Sequence, residues 1–166
     1  MGMSTSLRRY LESRNLRFET VNHPYSEGAM QTAIAGHVPM DQMAKAVVVE
    51  DHEGRHMMAV LPAGRRLDLH QLSDWMHRDF HLVPEWKLES MFRDCKPGAI
   101  PAFGDAYNME TVVDDELLDQ NDVYVEAGDH QDLLHINGDA FRSWAIEHKH
   151  ARFSRRHDWT GMETRK

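Results

Sequence analysis

Hydrophobic positions recur along the chain with two different periods, and the switches between them divide it into short helices and short strands. Leu7, Tyr10 and Leu11 stand at helical spacing behind Ser4 or Thr5, either of which can accept from the free amides of a first turn, and Asn15 can close the segment. From Leu16 to Val21 the period becomes two, with Leu16, Phe18 and Thr20 alternating with charged residues. This predicts a half-buried strand stopped by His23-Pro24. A short helix carrying Met30, Ala33 and Ile34 is predicted behind Ser26 as cap, with Gly36 as its end.

The strongest strand signal is Met43-Ala44-Lys45-Ala46-Val47-Val48-Val49-Glu50, because three successive β-branched residues are stiff at χ1 and fit a pleated, buried surface. Alternation puts Ala46, Val48 and Glu50 on one face and Lys45, Val47 and Val49 on the other, so Lys45 opens a face that is otherwise apolar. Its ammonium must therefore snorkel to the sheet edge or meet an anion. Asp51-His52-Glu53-Gly54-Arg55 is polar and contains a glycine, which predicts a hairpin to a second strand over Met57 to Leu61.

Pro62-Ala63-Gly64 breaks that strand, and Asp68 caps a helix whose Leu69, Leu72, Trp75 and Met76 share a face. A brief strand at Leu82-Val83 and a helix over residues 85–92 follow. Between Cys95 and Gly104, two prolines and two glycines exclude a regular element. Strands are predicted over residues 108–113, 123–127 and 133–136, the last two joined across Gly128-Asp129-His130, and a final helix starts at Asp139 and buries Ala140, Phe141, Trp144 and Ala145. Together these elements predict a mixed α/β (α+β) fold, with a largely antiparallel central sheet and short helices around it.

Length and charge narrow the classes. A chain of 166 residues, 41% hydrophobic, can bury one domain's core. One cysteine excludes an internal disulfide framework, and neither a secretory signal nor an apolar run long enough to span a bilayer is present. The expectation is therefore a soluble, cytoplasmic protein without membrane partners. The net charge of −8 argues against indiscriminate nucleic-acid binding, yet it is unevenly placed. Residues 149–166 hold six cations against two carboxylates, a balance of +4, which leaves −12 on residues 1–148. The expected division is a folded domain over 1–148 and a basic C-terminal tail over 149–166, either solvated or reaching for RNA phosphates.

Candidate chemistry is sparse. Of the 12 histidines, His52/His56 and His77/His81 have i,i+4 spacing, but the first pair spans a predicted turn and the second leaves a helix, so no metal is expected. His148, His150 and His157 fall in or beside the basic segment and read as solvated. There is no GxGxxG and no P-loop. Cys95 is either a small packing residue or a nucleophile with no signature around it. The loop from Pro97 to Gly104 offers more, because glycine lets backbone approach a ligand and proline holds that backbone rigid. It is either a rigid connector or a donor site for an oxyanion.

Four segments in order carry a resemblance: His23-Pro24, Lys45 before the valines, Leu61-Pro62-Ala63-Gly64-Arg65-Arg66-Leu67-Asp68-Leu69, and Gly98-Ala99-Ile100-Pro101-Ala102-Phe103-Gly104. Over about residues 5–146 the chain resembles the YbaK/prolyl-tRNA synthetase-associated family of aminoacyl-tRNA deacylases. That resemblance implies a freestanding trans-editing hydrolase that cleaves the ester of mischarged aminoacyl-tRNA. Lys45, Gly98 and Ala99 would be catalytic, and His23, Arg65, Ile100, Pro101, Phe103 and Gly104 would hold substrate. It implies no cofactor, substrate assistance by a ribose hydroxyl or thiol, and an aminoacyl-tRNA synthetase as a second candidate partner. The family loop is often GxxxP, whereas Gly98 to Pro101 here reads GxxP behind Pro97. The alternative is a module of the same fold that binds a small ligand or tRNA without turnover.

Overall fold

A computed structural model describes residues 2–157. Helix α1 (Thr5–Ser13) is capped by Ser4, whose hydroxyl accepts from the Leu7 amide, and Leu7 and Leu11 are its buried stripe. Strand β1 (Glu19–Asn22) is shorter than the predicted one, since Leu16 and Phe18 pack on the core from the preceding loop instead. Helix α2 (Ala29–Ala35) starts from Gly28 rather than from Ser26, whose amide is held by the His130 carbonyl at 3.3 Å.

The valine run is β2 (Ala44–Asp51), and its hairpin partner is β3 (His56–Pro62), with Val47 opposite Ala59 and Lys45 opposite Leu61. The Asp51 carboxylate builds the turn between them by accepting from the Glu53 and Arg55 amides, each at 2.9 Å. A short strand β4 (Arg65–Leu67) follows where the proline-glycine break predicted only a connector. Next come α3 (Leu69–Met76), capped by Asp68, then β5 (Phe80–Leu82) and α4 (Glu85–Met91). The proline-rich loop leads through a 3-10 turn at Gly104–Tyr107 into β6 (Glu110–Asp114). Strands β7 (Asp122–Glu126) and β8 (Asp132–Asn137) precede α5 (Gly138–Ala145), β9 (Lys149–Ala151) and β10 (Ser154–Arg156).

The fold is mixed α/β, and most of its strand pairs are antiparallel. A five-stranded sheet has the order β5-β2-β3-β6-β9, with β6 parallel to both β3 and β9. A three-stranded antiparallel sheet has the order β1-β8-β7, and β10 pairs antiparallel with β4. The main core lies between the two larger sheets, α1 and α5, where Val48, Met58, Val60 and Val113 meet Val123, Val125, Leu134 and Ile136. The opposite face of the five-stranded sheet, with Val49, Met57, Ala59, Leu61 and Val112, is covered by Leu72 of α3 and by Phe153. A parallel bridge between Met43 and Tyr124 ties the mouth of β2 to β7.

The expected division at 148/149 is not a boundary in the packing. Lys149 lies beside Val112 in the sheet, Ser154 pairs with Leu67, and Phe153 between them is fully buried. Lys149, Arg155 and Arg156 sit on strands that need their backbone partners, so residues 149–157 are part of the body. Residues 158–166, the rest of the expected tail, lie outside the described residues.

Candidate active site

Lys45 begins the apolar face of β2, and burial, followed by the nearby charge of Arg66, lowers its ammonium from 10.5 to about 8. The ammonium donates to the Ala63 carbonyl at 3.3 Å. Arg66 stands directly opposite Arg155 across the β4/β10 pair, and His157 is held below its ordinary value by burial and then by Lys45 and Arg66. Lys45 is thus one member of a cationic group, an arrangement whose own repulsion is relieved by an anion.

The Pro97-Gly98 segment is a tight turn. The Ala99 amide donates to the Lys96 carbonyl at 3.0 Å, Pro97 supplies the fixed first corner, and Gly98 takes the second with φ of 81°. This corrects one expectation, because the Ala99 N–H is spent inside the turn and is not an oxyanion donor. The Gly98 and Ile100 N–H groups hydrogen-bond to none of the described residues. His130, itself left-handed at φ of 64°, holds the turn from the far side of the sheet connection through a 2.6 Å hydrogen bond to the Pro97 carbonyl. A carbonyl only accepts, so Nε2 carries the proton, and buried Nδ1 has no partner among the described residues. Tyr25 packs on the same imidazole at 5.3 Å between ring centroids.

Lys45, Gly98 and Ile100 line one cavity of about 210 Å³, together with Ala29, Met43, Ala46, Glu85, Leu88 and Glu126. Sequence reasoning missed Glu126. On a strand of alternating Val123 and Val125 it occupied the ordinary solvent position, and nothing local signals that α2 covers that face. Burial, ahead of the charge of Asp129, pushes its carboxyl up to about 8.

Other residues expected to hold substrate lie elsewhere. Arg65 donates through Nε to the Ser154 hydroxyl at 2.8 Å and through its guanidinium to the Ser154 carbonyl at 3.1 Å, so it fastens β4 to β10. Phe103 is fully buried and packs edge-on against Trp144 at 4.5 Å. A Cβ at Gly104 would lie 2.3 Å from Thr111 Oγ1, which makes this glycine a packing requirement. Pro101 is buried and does not line the cavity. His23 is buried, donates through Nδ1 to the Pro24 carbonyl at 2.7 Å, and also stands outside the lining.

Cys95 is a packing residue: burial, despite the Tyr107 hydroxyl at 3.1 Å, raises its thiol to about 11, far from a thiolate at neutrality. Among the described residues no three His, Cys, Asp or Glu side chains converge as a metal site. Several histidines expected on the open surface are instead paired. His148 meets Asp105 at 2.6 Å and packs on Trp144, and His150 meets Asp115 at 2.8 Å. No helix among the described residues is long and apolar enough to cross a membrane.

The family model described as the aminoacyl-tRNA editing domain matches residues 23–143, which includes all of the cavity lining. Among curated proteins none matches the sequence. Among solved structures, the hypothetical protein APE2540 is similar at 20% identity and a TM-score of 0.78, over 90% of this chain and 99% of that one. A protein proposed to be a trans-editing enzyme for prolyl-tRNA synthetase matches at 19% identity and a TM-score of 0.76, over 93% of this chain and 99% of the other. A protein of Marinobacter aquaeolei VT8, proposed to act in signal transduction, matches at 18% identity and a TM-score of 0.70, over 90% of this chain but 30% of its own length. At these identities the three likenesses speak for the fold.

Proposed function

The chain belongs to the aminoacyl-tRNA editing domain family, and from that premise we propose that it is a freestanding hydrolase that deacylates mischarged aminoacyl-tRNA. The observation that carries this reading is the convergence of Lys45 with the rigid Pro97-Gly98 turn on one small cavity. In the proposed arrangement the ester carbonyl faces the Gly98 and Ile100 amides. Water adds to the carbonyl carbon, negative charge develops on its oxygen, and those amides receive it without reorganising. The bond to the ribose oxygen then breaks and that oxygen takes up the proton. In the proposed arrangement a ribose hydroxyl beside the ester relays it. Ester hydrolysis needs little more than such positioning.

The cationic group explains how an acidic protein would hold tRNA. The β4/β10 ribbon sets Arg65 opposite Arg156 and Arg66 opposite Arg155, and both Arg155 and Arg156 are exposed. Lys45 and Arg66 connect that ribbon electrostatically to the cavity mouth. Phosphates of the acceptor end would follow this path, so the role first assigned to a basic tail passes to a folded strand. A cavity of about 210 Å³ suits a small aminoacyl group. A synthetase is a natural second partner, since its errors are the substrate.

The test is a deacylation screen with the purified protein against a panel that includes Ala-tRNA, Ser-tRNA and Cys-tRNA. The expected result is catalytic release of a small amino acid from one or two of them. Binding of tRNA or amino acid with no ester cleavage anywhere in the panel would instead establish a non-catalytic module.

A further inference from the structure

Glu126 ends β7 with 5% of its surface exposed. Because Val123 and Val125 turn into the main core, Glu126 turns to the opposite face, beneath α2, and there it lines the cavity shared by Lys45, Gly98 and Ile100. Its Oε1 is buried and has no hydrogen-bond partner among the described residues. Such an atom forfeits the hydration it had in the unfolded chain, and native structures keep that arrangement where something else completes it.

The surroundings say what would complete it. From α2 the Thr32 hydroxyl, which donates to the Ser26 carbonyl at 3.5 Å, is near enough to favour the charged carboxyl, and Oε1 is left open. Asp129, in the turn after β7, and Glu85 of α4, at the cavity wall, are both of like charge. Lys45 lines the same cavity, but its ammonium donates to the Ala63 carbonyl, and no described residue forms an ion pair with Glu126. The Glu126 side of the wall is therefore acidic and makes no ion pair with a described residue. A ligand cation small enough for the cavity would supply both the charge and the donor.

We propose that Glu126 receives the α-ammonium group of the aminoacyl ester, so that the site selects esters with a free amine. This rests on the deacylase reading, since the ammonium sits on the carbon next to the ester carbonyl that the Gly98 and Ile100 amides would hold. Acylation of that amine removes the charge and adds bulk against a buried acid that then stays unpaired. The high proton affinity of the carboxyl fits the same role: it waits largely neutral and gives up its proton to solvent when the cation arrives.

The experiment compares the cognate aminoacyl-tRNA with its N-acetylated form, using wild type and Glu126→Gln, a variant that keeps the shape of the neutral acid. Wild type should favour the free amine by roughly 10- to 100-fold in kcat/KM, the range for one charge-assisted hydrogen bond. In Glu126→Gln the free-amine rate should fall far more than the N-acetyl rate, so that the preference is lost. Equal rates on both substrates in wild type, or an equal fall on both in the variant, would overturn the proposal. The wild-type comparison needs no mutant to fold. Should wild type cleave neither ester, the deacylase reading fails separately, and calorimetry decides this proposal with the non-hydrolysable 3′-amide of alanyl-adenosine and its N-acetyl form. Preference for the free amine that is lost in Glu126→Gln supports it; no preference, or no binding, removes it.

Discussion

The Nε2–H of His130 donates to the Pro97 carbonyl at 2.6 Å, so the β7–β8 turn clamps the turn that carries Gly98. This contact fixes the two amides that would face the ester, although His130 does not line the cavity. His130→Ala should lower kcat/KM by roughly tenfold or more through looser positioning, while costing about 1–3 kcal/mol of stability. His130→Gln, which can still donate to Pro97, should recover part of the rate. Deacylation kinetics beside thermal melts check this, and full activity in His130→Ala would show that the turn holds itself.

Lys45→Met should abolish most deacylation without lowering the melting temperature, since the substitution removes a desolvated cation and keeps the stem. The pH dependence has a definite sign. With the ammonium lowered from 10.5 to about 8, the unfolded chain holds a proton between those values that the folded chain lacks. Stability attributable to Lys45 therefore rises with pH across that window. Chemical denaturation of wild type and variant at pH 8 and pH 10 measures the difference, which vanishes if Lys45 is freely solvated.

Glu126 gives the reverse slope. Its carboxyl is raised from 4.5 to about 8, so the folded chain holds the extra proton between those values, and stability is lost as pH rises from 4.5 to 8. Glu126→Gln should remove that loss, leaving the variant the more stable protein at pH 8 by on the order of 1 kcal/mol or more. Denaturation midpoints at pH 5 and pH 8 decide the matter; a constant difference between the two proteins would mean that Glu126 ionises freely.

Phe153 is fully buried beside Trp75, with ring centroids 6.0 Å apart, and its amide donates to Asp114 at 3.0 Å. Phe153→Ala should cost about 3–5 kcal/mol, the range for an aromatic lost from a core. Deleting the chain from Lys149 removes β9 and β10 as well, and should leave a protein without a cooperative melt. A truncated protein as stable as the full chain would restore the free tail that charge alone suggested.

The arginine ribbon is tested by charge rather than by truncation. Replacing exposed Arg155 and Arg156 with alanine should weaken tRNA binding and flatten its salt dependence, with the log–log slope falling by about 0.7–0.9 per lost phosphate contact. Cleavage of a minimal aminoacyl-nucleoside ester should be unaffected. Superimposable salt curves for variant and wild type would move the tRNA path to another face.

Much of this molecule was legible in the order of its residues, because the signals were local. Three valines in succession, Asp68 ahead of Leu69 and Leu72, and a glycine within Asp51 to Arg55 each act on neighbours a few positions away, and each element formed where its pattern stood. The Pro97-Gly98 pair likewise marked its own turn. Tertiary structure alone decided the features whose partners are distant. Strands β4 and β10 have three residues each and exist because their backbones, far apart in sequence, pair with each other, and cations that read as a solvated tail became part of a sheet. Phe103 and Gly104 shared a loop with Gly98, yet packing against Trp144 and Thr111 took them into the core. Glu126 shows the limit most clearly: alternation on β7 placed it opposite two valines, and only the docking of α2 over that face turned an ordinary surface carboxylate into a buried acid in the cavity wall.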